Sequence, residues 1–202
     1  MKIRFALDTD SDPTVWLGIP ILEGRGASRE RKKWARRTSE LLWSLTAEGP
    51  ESKNQIKSLA QELEATSELT PQTIPVHQLF LYAPDPRREF FTFLVHLDAS
   101  EGSVETRLAE LVQKDAPGAV QDPEVIDFDS ERLGRGMRSI RYFVSSKAEA
   151  ICCSVNYAWR IESHGIDLVL RTISENIGWI TANIDEFDEF ARSLSVLEDD
   201  SA

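Results

Sequence analysis

At 202 residues, 41% of them apolar and 28% charged, the chain has the composition of a soluble globular protein and enough length for one domain with a real core, about 70% of the unfolded surface leaving water at this size. Thirty-four Asp/Glu against 23 Lys/Arg give a formal charge of −11, which argues against duplex nucleic acid and anionic membrane as general partners, since both repel an acidic surface. No apolar run approaches the ~20 residues that span a bilayer, and the opening MKIRFALDTDSDP lacks the apolar stretch of a secretory leader, so the expected location is the cytoplasm.

In chain order, KIRFALD alternates apolar and polar residues, with Ile3, Phe5 and Leu7 on one side, the period of a half-buried strand. TVWLGIPI is a second short strand that Pro20 places at an edge. From Ser28, a candidate N-cap, to about Thr46 the period becomes helical, with Trp34, Thr38, Leu41, Leu42 and Leu45 on one stripe. After GPES, residues 51–66 form a second amphipathic helix through Ile56, Leu59, Ala60 and Leu63, and ATSELTPQTIP is a connector. Two β-rich runs near 76–83 and 89–97 flank the turn APDPRR, with Phe91, Phe93, Val95 and Leu97 as the buried face. Ser103 caps a helix carrying Val104, Leu108, Leu111 and Val112.

Strand character then occupies 124–129, 136–145, 149–161 and 165–174, joined by turns short enough to make the strands antiparallel neighbours. The chain closes on a helix through IDEFDEFARSLSVL, with Asn183 and Glu186 as a capping box and Phe187, Phe190, Ala191, Leu194 and Leu197 as its stripe. A short acidic tail follows from about residue 198. This grouping predicts a single α+β domain over 1–202, a mainly antiparallel sheet of six to eight strands flanked by helices.

TVWLGIP before a helix containing KKWARR, RLGRGMRSIRYF, the long strand CCSVNYAWRI, GIDLVLRTIS and the closing IDEFDEFARSLSV resemble, over most of the chain, a family of uncharacterised actinobacterial proteins. Their order is similar to the PsbP-like α/β/α sandwich of a photosystem subunit, a Ran-binding import factor and LpqN-like lipoproteins. The resemblance implies a binding or accessory role and brings no catalytic residue with it. The lipobox cysteine and signal peptide of LpqN-type proteins are missing, so their envelope location does not transfer.

The most unusual local feature is RGASRERKKWARR, residues 25–37, which holds seven Lys/Arg and one Glu. Outside it, sixteen basic side chains face thirty-three acidic ones. Cations in the first turns of a helix oppose its dipole, so helix stability did not select them. Three readings stand: an internal match to acids such as Asp185, Glu186, Asp188 and Glu189; a site for an acidic protein; and a nucleic-acid site, disfavoured because Trp34 is the sole interleaved aromatic. The candidate partner surface is Arg29, Lys32, Lys33, Arg36 and Arg37, with Trp43, which lies off the apolar stripe.

Other constellations read as structure. Arg132, Arg135, Arg138 and Arg141 surround two glycines, but a strand follows where a phosphate cradle needs a helix, so outward arginines on a hairpin are expected. Asp8, Asp10 and Asp12 lack the Gly and Glu of a calcium loop. His77, His96 and His164 fall on separate elements and Cys152/Cys153 lacks CxxC spacing, so no metal site is expected. Cys153 lies on an apolar strand face as an inert thiol, with Cys152 opposite.

These observations lead to a non-enzymatic interaction or accessory protein without cofactor, catalytic residue or metal. The alternative is a small-ligand module with a pocket between sheet and helix near Trp16, Trp159 and Trp179. An enzyme ranks third because no nucleophile or acid/base set assembles.

Overall fold

The computed structural model describes residues 5–50, 52–73, 76–145 and 149–198. The element order is β1 (Phe5–Thr9), β2 (Trp16–Ile19), α1 (Ala27–Ser44), α2 (Lys53–Thr73), β3 (Gln78–Tyr82), β4 (Phe91–Ala99), α3 (Val104–Leu111), β5 (Glu124–Asp127), β6 (Gly136–Ser145), β7 (Ala150–Ile161), β8 (Ile166–Ser174), α4 (Ile177–Ala182), α5 (Ile184–Ser193) and β9 (Leu194–Glu198). The fold is α+β, with a seven-stranded sheet in the order β2-β3-β4-β8-β7-β6-β5 and a two-stranded sheet β1-β9. Tertiary contacts group the chain into two units, Asp12–Leu94 and the remainder, with β4 divided between them.

In the unit Asp12–Leu94, β2 pairs antiparallel with β3, and α1 and α2 bury Ala35, Leu42, Trp43, Leu59 and Leu63 against Ile19, Leu79 and Leu81. Ser39 and Ser67 lie in this interface because their hydroxyls find carbonyls, donating to Ile56 O and Pro20 O at 2.7 and 2.9 Å. Trp16 lies tilted against Tyr82 and meets the edge of Phe93.

In the second unit β5, β6, β7 and β8 form an antiparallel meander. Alternation sends Arg138, Tyr157 and Leu170 to one face and Ser139, Asn156 and Arg171 to the other. Helix α5 covers the first face with Phe187, Phe190 and Ala191. Its Asp188 accepts from Tyr157 Oη and Arg138 Nη1, both at 2.7 Å. Helix α3, capped by Ser103, covers the second, packing Leu108 and Val112 on Ala158 and Val169. The loop entering α3 is held by Arg160, which grips buried Asp167 bidentately and donates to the carbonyls of Glu101 and Gly102. Burial pushes the Asp167 carboxyl up, but the bonds from Arg160, Ser100 and Arg107 outweigh it and hold the group below the usual range.

Several boundaries differ from the sequence expectation. The α2 helix runs through ATSELT, with Pro71 in its last turn, where a missing N–H removes one bond instead of breaking a long helix. The terminal helix stops at Ser193, so Leu194 and Leu197 belong to β9, which pairs with β1. Leucines three apart continue a helical stripe, whereas in the strand they face opposite sides, Leu194 buried and Leu197 exposed. Asn183 makes no side-chain cap to α5, because its amide donates to Trp179 O at the end of α4. Arg138 and Arg141 are buried, not outward. Cys152, on the strand face opposite Cys153, is buried as well. Residues 1–4 of the first predicted strand and the acidic tail from residue 199 lie outside the described residues.

Gly136 admits no side chain: a Cβ there would collide with the Trp159 indole and the Phe128 carbonyl. Gly136→Ala therefore loses about 1–3 kcal/mol of stability by overpacking, read from denaturant unfolding. Burial pushes the Cys153 thiol up to about 11, and burial, then the Asp188 charge, pushes the Tyr157 phenol well above its ordinary value. Both groups hold their proton more tightly folded than unfolded: the Cys153 contribution is complete below its unfolded pKa near 9 and is lost as pH rises through about 11, and the Tyr157 contribution is complete below its ordinary value near 10 and is lost only at higher pH. Unfolding followed between these limits shows stability falling with pH, and Cys153→Ala makes the decline shallower by at most about one proton.

Candidate functional site

The basic stretch forms the first three turns of α1. The helix begins at Ala27 after Gly26, whose φ of 97° gives the helix a left-handed start with no side-chain cap, so Ser28 is not the cap. The buried stripe is Arg31, Ala35, Thr38, Ser39, Leu42 and Trp43, turned by roughly one residue, ~100°, from the stripe that the leucines suggest. Small Ala35 and Ser39 allow close approach to α2, which leaves Leu41 and Leu45 exposed. Trp43 is therefore corrected from partner surface to core, at 3% exposure.

The cations divide by depth. Arg31 is buried, donates to Glu68 Oε1 at 3.2 Å and reaches Leu22 O, a structural role. The others are exposed. Lys32 lies 3.9 Å from Glu64, Lys33 3.7 Å from Glu30 and Arg36 3.8 Å from Glu40; at these lengths and exposures each pair contributes about 0–1 kcal/mol. Among the described residues neither Arg29 nor Arg37 makes an ion pair. The matching acids are those of α1 and α2, not those of α5, whose Asp188 is taken by Arg138 and Tyr157.

Between α1 and α2 runs an open groove of about 510 Å³. Lys32, Arg36, Lys53 and Lys57 line it against Glu40 and Glu64, over a floor of Ile56 and Ala60. Sequence reading located the α1 half of this site. It missed Lys53 and Lys57, which are unremarkable on α2 until the helix pair places them opposite Lys32 and Arg36.

Of the tryptophans of the expected pocket, Trp16 belongs to the unit Asp12–Leu94 and Trp159 and Trp179 to the other. Trp159 is fully buried, stacked on Tyr157 and donating from Nε1 to Phe128 O. Trp16 is core in its own unit, and Trp179 is half-buried on α4. A cleft of about 470 Å³ is lined instead by Trp43, Leu59, Ser58, Glu62, Arg87 and Arg88, among others. The Trp43 Nε1–H has no acceptor among the described residues.

Asp8, Asp10 and Asp12 are engaged within the chain: Asp8 accepts from the Thr9 N–H, Asp10 pairs with Arg132 at 2.6 Å and Asp12 accepts from Thr14. Among the described residues no group of three or more His, Cys, Asp or Glu is arranged to hold a metal, and no helix is long and apolar enough to cross a membrane.

No family model matches the chain, and no curated protein matches it. Among solved structures it is similar to LpqN of Mycobacterium tuberculosis, a protein involved in cell envelope biogenesis, at 11% identity and a TM-score of 0.48 over 97% of this chain and 86% of that one. No role is taken from this likeness.

The two buried indoles differ in one bond, and that difference is measurable. Trp43→Phe removes an N–H that has no partner, whereas Trp159→Phe orphans the Phe128 carbonyl. Thermal unfolding shows the second variant less stable than the first by about 1–3 kcal/mol.

Proposed function

We propose that this chain is a non-enzymatic interaction protein of the cytoplasm that receives an acidic segment of a partner protein in the α1–α2 groove. The observation that carries the reading is the local reversal of sign: four cations against two acids over an apolar floor, on a chain of net charge −11. The exposed ion pairs there are long and weakly held, so incoming carboxylates replace them at small cost. Such a field orients a partner and speeds its encounter more than it adds affinity. Nucleic acid suits the groove less well: Trp34 is packed against the core instead of offering a stacking face.

A second reading has its own observation. The cleft beside Trp43 falls within the size range of small-molecule sites and carries Arg87 and Arg88 among its lining residues. This moves the ligand alternative from Trp16, Trp159 and Trp179 to Trp43.

The test is fluorescence anisotropy with an amphipathic peptide carrying Glu on one face and Leu on the other, beside its Lys-for-Glu counterpart. The acidic peptide binds, more weakly as salt rises, and Lys32→Glu with Arg36→Glu lowers its affinity about tenfold or more; Lys114→Glu, outside the groove, changes little. Equal affinity for both peptides, or indifference to the charge reversal, overturns the reading.

A further inference from the structure

The sheet face under the end of α3 carries two guanidinium groups that the rest of the fold leaves electrically unanswered. Arg141 on β6 pairs in register with Ser154, and Arg171 on β8 with Asn156, so alternation sends all four side chains to the same side. Arg171 Nη2 donates to Leu111 O at 2.9 Å, and its Nε bonds Asn156 Oδ1. Arg141 Nη2 donates to Ala116 O and Pro117 O, and its guanidinium lies 4.7 Å above the Phe143 ring. The two arginines hold the segment that leaves α3, where carbonyls at a helix end attract cations.

Carbonyls supply dipoles but no net charge. Arg138 on β6 and Arg160 on β7 each meet an aspartate at 2.7 Å; among the described residues Arg141 and Arg171 meet no carboxylate. Arg141 is 6% exposed and its Nε has no acceptor, while Arg171 is half-buried and reaches solvent. The register sets Arg141 level with Ser154 and Arg171 level with Asn156, two residues apart on the strands that flank β7, and burial, then the Arg141 charge, lowers the Arg171 pKa.

We propose that Arg141 and Arg171 form a binding site for a small oxyanion, the phosphate or carboxylate group of a ligand, beside the C-terminal end of α3. Each guanidinium has five N–H donors, and the bonds above leave Arg141 Nε and Nη1 and Arg171 Nη1 open. Planar forks of this kind match the spacing of carboxylate and phosphate oxygens. An anion between them removes the like-charge repulsion and satisfies Arg141 Nε. Half-exposed Ile173, opposite Ser154 on the same face, gives the remainder of the ligand an apolar surface.

The test titrates the full chain with inorganic phosphate, acetate or chloride at matched ionic strength and reads the melting temperature. Phosphate, acetate or both raise it saturably while chloride does not, and the arm that responds names the group recognised. Arg171→Gln weakens binding roughly tenfold or more, Arg171→Lys recovers part of it, and Arg135→Gln, an exposed arginine of the same unit, leaves it unchanged. Absence of a saturable shift in wild type, or an equal shift in Arg171→Gln, overturns the proposal. Should the Arg171 variants fail to fold, the 31P line width of phosphate and the methyl 1H line width of acetate with wild-type protein decide: broadening of either that an excess of the same unlabelled anion reverses supports the site, and broadening of neither overturns it.

Discussion

A guanidinium taken out of water must be met by charge or by carbonyls, and in the larger unit that requirement sets where the helices lie. Arg138, Arg141, Arg160 and Arg171 all project from β6, β7 or β8. Arg138 is answered by Asp188, which ties α5 to one face. On the other face Arg160 answers Asp167 and clamps the loop that starts α3, while Arg141 and Arg171 clamp the segment that ends it. Breaking one partner of such a pair leaves an uncompensated charge at a cost of about 3–5 kcal/mol, more than a typical surface contact contributes.

The unit Asp12–Leu94 obeys the same rule with a different outcome. Only Arg31 of its basic stretch is drawn inward, and it finds Glu68 and a carbonyl. The remaining cations stay in solvent with loose partners, and that reserve of replaceable charge is what distinguishes the α1–α2 groove from an ordinary solvated helix pair. Within this unit the buried, bonded arginine holds the fold, and the exposed, weakly paired cations are left for recognition.

Much of the fold was legible. The antiparallel meander of β5 to β8 follows from long alternating runs separated by short turns, and Ser103 capped α3 as its position indicates. The failures cluster where the apolar pattern of the sequence and the packing of the fold part. Leu194 and Leu197 continue the α5 stripe numerically, but the open backbone of β1 recruits them into a strand. Leu41, Leu42 and Leu45 outweigh Ala35 and Ser39 on any hydrophobic scale, yet close helix packing prefers the small residues, and the stripe turns accordingly. The groove was half legible for the same reason: Lys32 and Arg36 stand in a conspicuous run, whereas Lys53 and Lys57 acquire meaning only from the helix opposite.

By itself the sequence determined the fold class, the excess of acid and the isolated basic segment, because composition and period are local properties of the chain. Which arginines turned inward, which tryptophan lost its acceptor, and which cations came to face one another across a groove were decided by tertiary structure. Those outcomes depend on side chains far apart in sequence meeting in a low-dielectric interior, where the partner, not the residue type, settles whether a charge serves structure or recognition.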